Sequence, residues 1–256
     1  MGIKYFVLGI FLVAATVITC QFIPDKVCTP HEREIALTID DLPIAQDFFT
    51  KIVQTLAEHK APAIGFVIAE RINSDSMQHM NEFLNAGFLI GSHSYSHLSL
   101  KKTTAELYIA DLERADKILS PLMTSNKYFR YPYLTEGKWR TKQKVLDYLT
   151  ANHYTVAPVT IDSRDFEFNK EFIENSEHNN PDVMRQFKQC YVNFVWEQTK
   201  KAEQSQRCNV TKQIILLHAN VLNSLFLGDL LQMYEEHGYH FITLSEALQT
   251  KSEMGQ

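Results

Sequence analysis

Two apolar periods alternate along this chain. Short apolar-rich runs over residues 34–39, 63–68 and 88–90 read as strands, and so do 127–130, 154–161, 213–217 and 239–244. Between them apolar positions return at helical spacing. Phe48, Phe49, Ile52, Val53 and Leu56 make one such face, and Met77, Met80, Phe83 and Leu84 another, stopped by Gly87. Thr103 with Glu106 three residues on is a capping box that predicts the start of a helix with a buried stripe of Tyr108, Leu112, Ala115 and Leu119. Further helices are predicted over 139–151, 182–204 and 223–236, the last ended by Gly238. Strand and helix in strict alternation predict a mostly parallel sheet, open or closed into a barrel.

The chain has 256 residues, 45% of them hydrophobic and 11% aromatic, enough for one medium-large domain with a packed core. Its formal charge is −5, with no long basic run, which argues against nucleic acid as a partner. The start has the pattern of an export signal: Lys4, then an apolar stretch over 5–17 too short to span a bilayer comfortably. Residues 1–20 are therefore read as a signal peptide, 21–33 as a linker and 34–250 as the domain. Val17-Ile18-Thr19-Cys20 resembles the box at which bacterial lipoproteins are cleaved and lipidated, although Thr19 is a poor fit. A lipid anchor at Cys20 and plain cleavage both stay open. Either places the protein in the periplasm, at the cell surface or outside the cell, where disulfides persist. Cys190 and Cys208 flank one segment and are the candidate disulfide; Cys28 then lacks a partner unless Cys20 survives unmodified.

Chemistry concentrates in polar clusters that close predicted strands. These are Asp40-Asp41, His93-Ser94-Tyr95-Ser96-His97, Arg130-Tyr131-Pro132-Tyr133, Asp162-Ser163-Arg164-Asp165-Phe166 and Leu216-Leu217-His218. In a parallel β/α barrel the C-terminal strand ends share one face, where loops converge, so clusters this far apart can meet in one cleft. Singly, most have bland readings. A lone Asp-Asp is a strand end or helix cap, Arg130 a salt-bridged strand residue, and His218 a packed residue closing a central strand. Neighbouring aspartates point to opposite faces of a regular strand, so Asp40 and Asp41 share a site only where the strand frays. His93 and His97, four apart, would share one face of a helical turn and could hold a metal.

The ordered set resembles the polysaccharide deacetylases with the NodB homology domain, carbohydrate esterase family four. That family's pattern runs Thr-Phe-Asp-Asp, His-Ser/Thr-x-x-His, Arg-x-Pro-Tyr, Asp-Ser-x-Asp-Trp and Leu-x-His. This chain departs from it at Ile39, Leu134 (glycine is common there) and Phe166 (for tryptophan). The resemblance implies a distorted (β/α) barrel of mostly parallel strands, with a helical insertion before the last catalytic strand. It implies a metal-dependent hydrolase that removes N-acetyl groups from a glycan built on N-acetylglucosamine: peptidoglycan, a chitin-type polymer or poly-N-acetylglucosamine. Asp41, His93 and His97 would hold one divalent metal, zinc first, with cobalt, nickel or manganese suiting the same ligands. Asp40 would be the general base, paired with Arg130, and His218 the general acid, its pKa raised by Asp165. The backbone N–H of Tyr133 would stabilise the oxyanion, and Leu216 and Phe166 would line a pocket for the acetyl methyl.

Residues 167–212 are long for a connection and predict a helical lid or flank beside the cleft. Three rival readings stand beside deacetylation. A two-histidine, one-carboxylate set also describes non-haem iron oxygenases, but those sit on double-sheet β folds and give Asp40 and His218 no task. An exported protein could grip glycan without turnover, or the same chemistry could act on a non-sugar amide.

Overall fold

The computed structural model describes residues 33–175, 180–205 and 212–249, which lie within one compact unit beginning at His31. The expected export signal, Cys20, Cys28 and Cys208 fall outside them. Among the described residues eight strands form one sheet: β1 (Arg33–Leu42), β2 (Ala63–Val67), β3 (Leu89–Ser92), β4 (Lys127–Phe129), β5 (Tyr154–Val156), β6 (Ile161–Asp162), β7 (Lys212–His218) and β8 (Tyr239–Ile242). Every pairing is parallel, in the order β5-β4-β3-β2-β1-β7-β6. β8 pairs with Arg33–Ala36 of β1 and β2 with the part of β1 from Leu37 onward, so the two share one edge of the central strand. Arg33, assigned by sequence to the linker, already belongs to β1.

The helices are α1 (Gln46–Glu58), α2 (Ser74–Asn85), α3 (Ala105–Leu119), α4 (Trp139–Ala151), α5 (Asp165–Glu174), α6 (Pro181–Ser205), α7 (Val221–Glu236) and α8 (Leu244–Leu248). None of the described helices is long and apolar enough to cross a membrane. Ile35, Leu37 and Ile39 of β1 point outward into the core made with Phe49, Leu56, Leu230 and Tyr234 of the helices. Burying each such side chain contributes roughly 1.5–3 kcal/mol. Ala36 faces the other way, inside the curl of the sheet, with Ile64, Phe66 and Ile214. Strand period then puts Thr38 and Asp40 on that inner face too. Burial on both faces is why these strands read as continuous apolar runs.

The run over 154–161 is not one strand. It splits into β5 and β6, which occupy opposite ends of the sheet. The cause is local: the carbonyls of Ala157 and Pro158 accept hydrogen bonds from the Arg130 guanidinium at 3.3 and 3.2 Å, and Pro158 has no N–H for a ladder. The two sheet ends are thus joined by residues 157–160 without pairing, a distorted barrel with an open seam.

Three other expectations shift. α3 begins at Ala105, capped by Thr104, whose hydroxyl accepts from Leu107 N–H (3.3 Å), because Thr103 ends the preceding 3₁₀ turn Leu100–Lys102. The last strand stops at Ile242, where Thr243 and Glu246 form a reciprocal capping box that opens α8. The insertion before β7 carries an unanticipated helix, α5, as well as the expected α6. It flanks the barrel: Tyr191 and Val195 of α6 are fully buried in the main core.

Candidate active site

Asp40 and Asp41 reach the same cavity because β1 is bulged. Against β2, Ile39 pairs with Gly65 but Leu42 with Val67, so β1 holds one extra residue there. Asp41 sits in the left-handed region (φ 70°), which Asp tolerates better than most residues. Three bonds fix the bulge: Ala219 N–H to Asp40 O (2.9 Å), Ile68 N–H to Leu42 O (3.0 Å) and Arg71 Nη1 to Asp41 O (3.0 Å).

His93 and His97 do not share a helical face. They lie in a loop that leaves β3, with Ser94 at φ 66° and His97 at φ 55°. The loop is bolted from two sides. Ser94 and Tyr95 carbonyls accept from Ala69 and Glu70 N–H at 3.1 and 3.0 Å. The Asp111 carboxylate of α3 accepts from Tyr95 N–H (2.9 Å), Ser96 N–H (3.2 Å) and Ser96 Oγ (2.7 Å). Sequence reasoning missed Asp111. The signal was present, since a buried aspartate three residues after Tyr108 interrupts an otherwise apolar stripe.

His93 Nδ1 donates to the Arg130 carbonyl (2.9 Å), which leaves Nε2 as the unprotonated nitrogen facing the cleft. That Nε2 is 3.6 Å from Asp41 Oδ1, and His97 Nε2 is 3.4 Å from the same oxygen. One ligand atom from each of the three residues lies within 4.8 Å of the others. Asp41 Oδ1 is buried without a hydrogen-bond partner. Burial holds both imidazoles below their ordinary pKa, His93 at about 3. Neutral imidazoles around an orphaned carboxylate oxygen are a donor set that fits one divalent cation.

Arg130 is completely buried and crosses the barrel interior. Its Nη1 donates to Asp40 Oδ1 (3.2 Å) and to Thr38 Oγ1 (2.8 Å), and Thr38 in turn donates to Ile215 O (2.5 Å). Its flat face lies 4.6 Å from the Phe66 ring centroid. A Cβ at Gly91 would lie 2.6 Å from that ring, so only glycine admits it. The Arg130 guanidinium favours the charged form of Asp40 but does not set the outcome. Burial outweighs the guanidinium and pushes Asp40 up to about 6. That value suits a base working near neutrality.

His218 closes β7 on the inner face, level with Asp40 in the ladder. Its Nδ1 donates to Asp165 Oδ1 (2.6 Å), and its backbone N–H to Asp165 Oδ2 (2.6 Å). Burial alone would lower this imidazole; Asp165 more than offsets it, and His218 rises to about 9. Asp165 is fully buried as the first residue of α5, not in a loop, and stands behind His218.

A cleft of about 410 Å³ joins the set, lined by Asp40, Asp41, His93, His97 and His218 with Leu216. Exposed Tyr133, Leu134 and Phe166 also line it. The Phe166 ring meets His218 edge-on at 5.7 Å, and the Tyr133 ring packs 4.5 Å from that of His97. Tyr133 and Leu134 are both left-handed (φ 56° and 50°), which accounts for the common glycine at the second position. A larger groove, about 850 Å³, runs between Leu100–Glu106 and Gly137–Lys144 and contains none of these groups. Of the candidate disulfide, Cys190 is exposed on α6, and its expected partner Cys208 lies outside the described residues.

A bulged carboxylate pair, two neutral imidazoles and a second carboxylate–imidazole pair at one mouth of a distorted parallel barrel define a family. The family model described as polysaccharide deacetylase matches residues 28–157, and the chain belongs to that family. The match covers Asp40, Asp41, His93, His97 and Arg130 but ends before Asp165 and His218. Peptidoglycan-N-acetylglucosamine deacetylase of Bacillus cereus is 32% identical over 122 residues, 45% of this chain and 43% of that protein. Chitin deacetylase of Arthroderma benhamiae is 29% identical over 137 residues, 52% of this chain and 35% of that one. The chain thus spans less than half the length of either relative. The solved chitin deacetylase of Colletotrichum lindemuthianum superposes with a TM-score of 0.63 at 20% identity, covering 88% of this chain and 91% of that chain. A family-four pseudoenzyme from Bacillus anthracis gives a TM-score of 0.63 at 15% identity, covering 86% of this chain and 67% of that one. These likenesses establish the fold.

Proposed function

We propose that this protein is a metal-dependent hydrolase that removes N-acetyl groups from N-acetylglucosamine-containing polysaccharide and releases acetate. One observation carries the reading. A buried carboxylate fixed by Arg130 and a buried imidazole fixed by Asp165 face the same cleft as the orphaned Asp41 oxygen and the two imidazole nitrogens. That is a base, an acid and a cation seat around one cleft.

Asp41, His93 and His97 would hold the cation, zinc by ligand preference, with cobalt, nickel or manganese fitting the same softness. When bound, it supplies Lewis acidity, lowering the pKa of water towards ~7 and polarising the amide carbonyl. Asp40 takes the proton of the attacking water, its Oδ1 held by Arg130 so that Oδ2 faces the cleft. His218, with Nδ1 tied to Asp165, presents Nε2 to the departing sugar amine and gives it a proton. The Tyr133 N–H supports the oxyanion, and Leu216 and Phe166 enclose the acetyl methyl. The apolar stretch over 5–17 supports export, with lipidation at Cys20 one form of it, and 34–250 as the catalytic domain.

A glycan-binding protein without turnover is the second reading, because a pseudoenzyme shares this fold. The complete acid, base and ligand set favours turnover. Acetate release by the purified protein from peptidoglycan, chitin oligomers and poly-N-acetylglucosamine, with and without chelator, tests the proposal. Chelator-sensitive acetate from at least one glycan supports it. Glycan binding with no acetate from any of them would establish the rival.

A further inference from the structure

The inserted helix α6, far from the cleft in sequence, is wired to the acid. Asp165 accepts more than the two bonds from His218. Its Oδ2 also takes Asn220 Nδ2 (3.2 Å) and, in a very short contact, Asn223 Nδ2. Asn223, 2% exposed on α7, uses its amide on three sides. Nδ2 donates to Asp165 and to the His218 carbonyl (2.9 Å), while Oδ1 accepts from the Tyr191 hydroxyl (2.8 Å). Tyr191 belongs to α6 and is wholly buried. One phenol therefore braces the Asp165 carboxylate through the amide of Asn223.

We propose that Tyr191 and Asn223 are positioning residues for the general acid: they fix the Asp165 carboxylate that aims His218 at the leaving nitrogen. This rests on the acid role given to His218 above and extends it to the insertion. In water the tyrosine hydroxyl would be replaceable. In a buried site its loss leaves Asn223 Oδ1 unpaired, and the amide relaxes by turning, which carries Nδ2 away from Asp165. Small misplacements of a proton donor are felt directly in rate.

The test is Tyr191→Phe beside Tyr234→Phe. Tyr234 is equally buried and its hydroxyl meets Thr199 Oγ1 at 2.8 Å, bridging the same two helices without touching Asp165 or Asn223. Both variants should lower Tm by a similar few degrees, as each loses one buried hydrogen bond. Only Tyr191→Phe should lower kcat on the N-acetylglucosamine oligomer, by about tenfold with KM unchanged. The sharper reading is a second substrate: 4-nitrophenyl acetate expels a phenolate that needs no proton. The ratio of amide to ester turnover should fall about tenfold in Tyr191→Phe and stay at the wild-type value in Tyr234→Phe. Unchanged amide turnover in Tyr191→Phe, or equal losses on both substrates, overturns the positioning role. His218→Ala run in parallel separates the two claims. If it leaves the amide reaction intact, the acid assignment itself is wrong.

Discussion

Asp111 touches no ligand atom, yet replacing it should loosen the metal. Its carboxylate takes three hydrogen bonds from Tyr95 and Ser96, inside the loop bounded by His93 and His97. Bonds to a charged acceptor contribute about 1.5–3 kcal/mol each, but the sum overstates the case. The Ser94 and Tyr95 carbonyls remain held by Ala69 and Glu70, so the loop loses one of two anchors. The appropriate scale is that of outer residues that orient ligands, about 10–100-fold in metal affinity, or about 1.4–2.8 kcal/mol. Asp111→Ala should therefore bind zinc about 10–100-fold more weakly in a competition titration against a chromophoric chelator. Asp111→Asn should fall between, because its amide oxygen can keep both backbone N–H groups while the charge is lost and the NH₂ faces Ser96 Oγ. A folded Asp111→Ala with wild-type zinc affinity would refute the argument that this carboxylate sets the ligand geometry.

The pH dependence of kcat/KM should be bell-shaped. Asp40 must be deprotonated, so activity falls as pH drops through about 6; His218 must be protonated, so it falls as pH rises through about 9. A profile rising steadily from 6 to 10 would contradict the acid assignment. Asp40→Asn should keep its metal, measured by elemental analysis, and lose about 10²–10⁴ in kcat. Arg130→Met strands a buried carboxylate and should cost about 3–5 kcal/mol in urea unfolding; a loss under 1 kcal/mol would show that Asp40 finds water or another partner.

Most of the barrel was readable because its strands are buried on both faces and its helices are amphipathic, so periods of two and 3.6 stood out. The run at 154–161 misled because Ala157 and Pro158 turn their carbonyls to Arg130, a partner no local pattern announces. Asp40, Asp41, His93, His97, Arg130 and His218 were legible through their order along the chain, and all but Arg130, which is buried and bonded to Asp40, line one cleft. Their geometry was less so. The histidines at i, i+4 suggested a helix, but the left-handed Ser94 and His97 make a loop. Supporting residues were the least visible. Asp111, Thr38 and Asn223 act through contacts across 15, 177 and 58 positions, and such polar residues look like ordinary caps until the fold closes.

Anomalous diffraction from crystals soaked in zinc, recorded on either side of the zinc edge, tests the metal seat most directly. One strong peak about 2.0–2.2 Å from an Asp41 carboxylate oxygen and from Nε2 of both His93 and His97 is the predicted result. A peak on other residues, or none at these three at saturating zinc, would contradict it.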